Sequence, residues 1–283
     1  MVRFGTAGVG DSFAEQGYKK TAEVGEYLTG FGLSHFEYQC GQGVRLSEAS
    51  GKAIGAELAA RGITVSLHAP YFISLSSVEE AKRTGSVRYI LESARAVKAL
   101  GGTRIVIHSG SCAKMSREAA LALALDTMKL AKAALDENGF SDVICCPETM
   151  GKFNQLGTLE EVLTICELDE SFIPCIDFGH LNARTVGGIK TKSDFAKILD
   201  SIKNRLGEYR YKHFHSHFSK IMYTEKGGEK KHLTFADFEY GPAFEPLIEL
   251  IAERDLSPYI VCESDGTQAE DAATMKNYLE KIT

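Results

Sequence analysis

The chain has 283 residues, 44% of them hydrophobic and 25% charged, which is the composition of an ordinary globular protein with enough apolar material for one large core. A net charge of −6 argues against a generic nucleic-acid coat protein, and no apolar stretch approaches the roughly 18 residues that a membrane span requires. Glycines interrupt the opening MVRFGTAGVGDSF where a signal peptide needs a continuous apolar run, so the expectation is a cytoplasmic protein with no membrane association and no obligate protein partner.

In chain order, short apolar or β-branched runs recur at 3–8, 35–39, 63–69, 103–109, 142–148, 173–178, 211–218 and 258–264. Between them lie segments of 3.6-residue periodicity. LSEASGKAIGAELAARG and VRYILESARAVKALGG each close on glycine, and SREAALALALDTMKLAKAALDENG opens on serine and closes on Asn-Gly, as helices do. Eight strands alternating with eight helices are the pattern of parallel βα units. Units of about 35 residues match a (β/α)8 barrel. No GxGxxG or GxxxxGK follows a strand, so the usual reason for an open nucleotide-binding sheet is missing. The predicted fold is therefore α/β, a single (β/α)8 TIM barrel over residues 1–283. The seven cysteines are odd in number and form no CxxC pair, which predicts reduced, buried side chains rather than a disulfide framework.

Polar residues fall at the C-terminal ends of six successive strands: His68, His108, Glu148, Asp177 with His180 just beyond, His217 and Glu263. One such residue alone is an ordinary structural histidine or a helix cap, and Asp177 in CIDFGHLNA could be either a cap or a ligand. In a barrel all six converge on one mouth, where active sites lie. Carboxylates gathered there without countercharge repel one another, and a divalent cation resolves the repulsion. Imidazole with carboxylate is a donor set that zinc, manganese or iron accepts. His213, His215 and His217 share one strand face. His217 is nearest the mouth, and His215, one layer deeper, is placed to support it by hydrogen bonding. His35 starts its strand at the opposite end and is expected to be structural. The stretch 203–232 holds eight Lys or Arg against three Glu and could steer a polyanion or simply be a solvated loop.

The motifs SLHAPYFISL (66–75), IVIHSGS (105–111), CPET (146–149), CIDFGH (175–180), HFSK (217–220) and CES (262–264) resemble, in this order, those of the endonuclease IV family of abasic-site endonucleases. That resemblance, over about residues 35–264, implies a xylose isomerase-like barrel with a trinuclear zinc centre. It implies that His68 and His108 bind one ion and that Glu148 bridges it to a second, completed by Asp177, His217 and Glu263. His180 then belongs to a third site with His232 and an acidic residue two positions before it. Tyr71 matches a tyrosine lining the substrate pocket. The implied reaction is hydrolysis of the phosphodiester 5′ to an abasic site in duplex DNA, with Glu148 orienting the attacking water and sharing general-base duty. The implied cofactor is two or three Zn2+, with Mn2+ or Fe as substitutes.

The sequence departs from that pattern twice. In GEKKHL (228–233), Lys230 stands where the family has aspartate, and Glu229 is one residue off register. Either Glu229 reaches the site through a local shift, or the third ion is lost and the Lys230 ammonium stands in for its charge beside a phosphate. The loop CGQGVRLSE (40–48), where the family grips DNA, is short and offers Arg45 as its one cation. With no tryptophan in the chain, Tyr71 and Phe72 are left to stack against the substrate. A metal-dependent sugar or sugar-phosphate isomerase or epimerase on the same barrel is the alternative, using Glu148, Asp177, His217 and Glu263 on a small sugar. The reduced loops and net charge favour it, while His68 and His108 favour zinc over magnesium and the basic stretch 203–232 leans toward phosphate. A barrel used for binding alone would lack ligands, and only the Lys230 position raises that question.

Overall fold

In the computed structural model, which describes residues 1–283, eight short strands pair in parallel: β1 (Arg3–Ala7), β2 (His35–Gln39), β3 (Thr64–His68), β4 (Arg104–Ile107), β5 (Ile144–Pro147), β6 (Cys175–Asp177), β7 (His215–Phe218) and β10 (Tyr259–Cys262). Their spatial order is β5-β4-β3-β2-β1-β10-β7-β6. The two outer strands meet at a parallel bridge between Glu148 and Cys175, flanked by the Ile173 N–H donating to the Cys145 carbonyl at 3.1 Å, so the sheet nearly closes into the expected barrel. Each of the eight sequence runs contains one of these strands.

The helices are α1 (Asp11–Glu15), α2 (Val24–Gly30), α3 (Glu48–Ala60), α4 (Glu80–Ala99), α5 (Arg117–Glu137), α6 (Leu159–Cys166), α7 (Phe178–Arg184), α8 (Lys192–Lys212), α9 (Glu245–Glu253) and α10 (Gln268–Ile282). Their ends follow local chemistry. Ser47 and Ser116 accept the backbone N–H groups of Ser50 and Ala119 at the starts of α3 and α5. At the end of α5 Gly139 has φ 79, a conformation that costs glycine nothing. None of the helices is long and apolar enough to cross a membrane.

One element has no counterpart in the sequence reading. Within 211–233, β7 is followed by an antiparallel hairpin of β8 (Lys220–Thr224) and β9 (Gly228–Leu233), and a bulge shifts its register between Met222 and Tyr223. β7 itself is shorter than expected: His213 lies before it, its ring tilted 54° against Tyr209 at 4.9 Å.

The main core of 59 buried residues includes the outward side chains of the strands and the helix faces that pack on them. The barrel interior is different. On the β4–β6 side it holds a small apolar cluster of Val106, Cys146, Ile173 and Cys175. On the β2, β3 and β7 side it holds His35, Glu37, Ser66 and His215, linked by hydrogen bonds, with Arg104 stacked over Tyr259 at 4.0 Å. Branched apolar residues usually fill such an interior, so a buried charged column here is a departure that leads directly to the site. All seven cysteines are free and buried.

Candidate metal centre

The strand ends deliver their side chains to one cavity of about 360 Å3 at the mouth, lined by His68, His108, Glu148, His180, His232 and Glu263, together with Tyr71, Met150, Lys152, Gln155 and Glu229. Glu148, buried at the end of β5, is its hub. Its Oε2 lies 3.1 Å from His108 Nε2 and 3.3 Å from His68 Nε2, and its Oε1 lies 3.0 Å from His217 Nδ1. Glu263 Oε1 approaches His217 Nδ1 at 3.5 Å.

Asp177 is both a cap and a donor. One carboxylate oxygen accepts the His180 N–H at 2.7 Å and starts α7. The other, Oδ2, is buried, has no hydrogen-bond partner, and lies 3.1 Å from His180 Nδ1. A buried unpartnered carboxylate oxygen is costly unless a cation meets it.

Three of the imidazoles are held through Nδ1, and that of His180 also faces Asp177 and Glu148 at 3.1 and 3.4 Å. His68 Nδ1 donates to the Ala69 carbonyl at 2.8 Å and His180 Nδ1 to the Thr149 carbonyl at 3.0 Å. His232 Nδ1 pairs with Ser219 Oγ at 2.9 Å. A carbonyl only accepts, so the proton of His68 and of His180 sits on Nδ1 and the lone pair of Nε2 is turned to the cavity. This is how metal-ligating histidines are usually fixed.

The ligand atoms gather in overlapping groups whose members all lie within 4.8 Å of one another: His68, Glu148 and His217; Glu148, Asp177, His217 and Glu263; and His180, Glu229 and His232. The last group depends on the hairpin bulge. His232 pairs with Ile221, Lys231 with Met222 and Glu229 with Tyr223, so Lys230 is the extra residue of the bulge. The extra residue turns a three-residue separation into a shared face, bringing Glu229 Oε2 to 3.5 Å from His180 Nε2. Gly151 makes room for it, because a Cβ there would lie 2.6 Å from the Glu229 Cβ. Lys230 itself is exposed and outside the cavity.

Charge balance agrees with a cation demand. Burial pushes the His180 imidazole down, but Asp177, Glu148 and Glu229 outweigh it and carry it up to about 10. Against the same desolvation, Glu148 with help from Glu37 and Glu263 lifts His68 to about 9. Burial pushes Glu148 up, yet His217, His108 and His180 hold it well below the usual carboxylate range. Without metal, a second proton on Nε2 of the His68 and His180 imidazoles supplies the positive charge; divalent ions would take its place at the Nε2 lone pair. The free Asp177 oxygen, the inward lone pairs and the mixed imidazole–carboxylate donor set all fit such ions.

Of the other residues singled out in the sequence, Tyr71 lines the cavity and is 63% exposed, with its ring 5.7 Å from Phe72. Arg45 is exposed on the β2–α3 loop and does not line the cavity. The basic stretch 203–232 is not one surface. Lys203, Arg205 and Lys212 belong to α8 and pair with Glu208, Glu160, Glu167 and Asp255, whereas Lys220, Lys230 and Lys231 belong to the hairpin. Two residues went unnoticed in the sequence. Lys152, four positions past Glu148, is the cation that lines the cavity. Glu37, in mid-strand, is wholly buried and hydrogen-bonded to His215. Its parity with Gln39 and His35 is the signal that would have turned it inward.

Against known proteins, residues 20–282 match the model of the xylose isomerase-like TIM barrel family. An uncharacterised protein of Methanocaldococcus jannaschii is 32% identical over 99% of this chain and 98% of its own length. A probable endonuclease 4 of Mycoplasma pneumoniae is 27% identical over 76% of this chain and 73% of its own. Among solved structures, a D-tagatose 3-epimerase-like protein has a TM-score of 0.69 at 20% identity, covering 88% of this chain and 90% of that one. Endonuclease IV from Thermus thermophilus has 0.66 at 20% identity, covering 99% of both. The two structural likenesses establish the fold and do not separate the two chemistries. The chain belongs to the xylose isomerase-like TIM barrel family.

Proposed function

We propose that the protein is a metal-dependent phosphodiesterase of the endonuclease IV kind, cleaving duplex DNA on the 5′ side of abasic sites with three zinc ions. The observation that carries this reading is the bulge that puts Glu229 beside His180 and His232, adding a third donor group to the two that share Glu148. The similarity to the probable endonuclease 4 of Mycoplasma pneumoniae along three quarters of the chain supports it.

Divalent ions in this cradle would supply Lewis acidity and bring the pKa of water toward neutrality. His68 and His108 with Glu148 would hold one, Asp177, His217 and Glu263 with Glu148 a second, and His180, Glu229 and His232 a third. The protein's own groups do the rest. Glu148 keeps its charge at neutral pH, so it orients the attacking water by accepting its hydrogen bond and is a weak sink for its proton. Lys152 faces the cavity with an ammonium suited to a phosphate oxygen, and Tyr71 offers an exposed ring at the rim. The cavity is at the small end of ligand sites, with room for a sugar and its phosphate.

The second reading is a sugar isomerase or epimerase. The Glu148, Asp177, His217 and Glu263 group taken alone suits proton movement on a small polyol, and the likeness to the epimerase-like barrel accompanies it. The deciding experiment is nicking of a duplex carrying a single abasic analogue, beside an undamaged duplex and a chelator-treated sample. Cleavage confined to the lesion strand and abolished by chelator is expected. Absence of metal-dependent nicking, with turnover of a free ketose instead, overturns the endonuclease reading in favour of the second.

A further inference from the structure

Glu37 sits in the middle of β2, beneath the cavity and entirely shielded from solvent. Its Oε2 accepts from Ser66 Oγ at 2.8 Å and from His215 Nε2 at 3.0 Å. Its Oε1 lies 2.9 Å from His217 Nε2, close but off the N–H axis, so His217 Nε2 has no linear hydrogen bond. The other nitrogen of that ring, Nδ1, faces Glu148 at 3.0 Å and Glu263 at 3.5 Å. One imidazole therefore spans the space between a buried carboxylate and the mouth. The other cavity histidines rest on neutral partners, the Ala69 and Thr149 carbonyls and the Ser219 hydroxyl. His217 is the one whose far nitrogen meets a carboxylate from beneath the cavity, whereas the carboxylates near His180 Nδ1, Asp177 and Glu148, are themselves candidate metal ligands.

The geometry points to Glu37 as the positioning residue for His217. Its charge, 2.9 Å from Nε2, favours the proton on that nitrogen, leaves the Nδ1 lone pair facing Glu148 and Glu263, and adds negative charge behind the ring to the most acidic of the three donor groups. Ser66 and His215 keep the carboxylate in place, so Glu37 forms the outer member of a carboxylate–histidine–metal arrangement of the kind that strengthens metal binding. The inference rests on the mouth being a metal centre.

The test titrates Co2+ into the metal-free full-length protein against a competing chelator, following the visible absorption of the bound ion, and records the melting temperature of the metal-free form. Glu37→Gln keeps the shape and removes the charge. It is expected to weaken one Co2+ site by 10–100-fold and to alter that site's absorption band. Binding at His180, Glu229 and His232 should stay unchanged, and the metal-free melting temperature should be equal to or above that of the wild type. Ser66→Ala loosens the same carboxylate without touching His217 and should weaken the same site by a smaller factor, which serves if Glu37→Gln fails to fold. Unchanged Co2+ affinities in either folded variant, or a lowered metal-free melting temperature with unaltered bands, overturn the role of Glu37. A wild-type chain that binds no Co2+ instead overturns the metal centre itself.

Discussion

At His68 and His180 the neutral ring turns its Nε2 lone pair to the mouth, because Nδ1 donates to a backbone carbonyl that can only accept. His108 differs. Its contact with the site is the 3.1 Å approach of Nε2 to Glu148 Oε2, from a side chain at the more open edge of the cavity. If it is a ligand, His108→Ala removes one ion per chain and lowers activity by more than the 10–100-fold typical of outer partners. Elemental analysis alongside the nicking assay checks this, and a variant with full metal content shows that His108 is not a ligand. Asp177 shows why a choice between cap and ligand could not be made from sequence. A carboxylate has two oxygens, and here one caps α7 while the other stays free.

At the scale of elements, the β8–β9 hairpin and α7 build the third donor group between them, and the β5–α6 loop packs against it, with Gly151 making room for Glu229. The bulge at Lys230 compensates a spacing that alternation alone would have made useless, because a strand sends residues i and i+3 to opposite faces. Deleting Lys230 gives Glu-Lys-His, in which plain alternation puts the acid and the imidazole on one face. The deletion variant should therefore keep its third ion, and loss of that ion by the deletion would show that Lys230 has a role beyond spacing. The β5–α6 loop is anchored by Glu161, which accepts two bonds from Arg117 at 2.6 and 2.7 Å and one each from the Gly157 and Thr158 N–H groups. Burial pushes the Glu161 carboxyl up, but Arg117 and those backbone groups outweigh it and leave it below its ordinary value. A depressed folded-state pKa adds stability above the unfolded value of about 4.3, and that stability is lost as pH falls through the folded value. In the metal-free protein Glu161→Gln should cost about 1–3 kcal/mol at pH 7, with the gap to wild type narrowing below about pH 4. A gap in melting temperature that is unchanged by acid contradicts this account of the loop.

At the scale of the whole molecule, the barrel was legible because each strand lies in a short apolar run and helical periodicity fills the stretches between, some of it opened by a serine cap, information carried within about 35 residues. The six polar strand ends were legible only as a set: one alone is an ordinary structural histidine or a helix cap, and it is the barrel that gathers them at one mouth. The hairpin was not, since KIMYT and GEKKHL lack a strong alternation and their pairing is set by the loop they pack on, where Lys152 bridges to Gly228. Glu37 was hidden because a charge in mid-strand looks like a solvent-facing position, and only closure of the barrel reveals that its parity points inward. The basic excess of 203–232 was legible as a count and misleading as a surface, because α8 and the hairpin carry its parts to separate places.

The proposed centre has three divalent ions at the mouth, two sharing Glu148 and the third held by His180, Glu229 and His232. The most direct test is the number of divalent ions per chain, by elemental analysis, in wild type and in Glu229→Gln. The arrangement predicts three in wild type and two in the variant, with the ions around Glu148 retained. Two or fewer in wild type, or an equal number in both proteins, would contradict it.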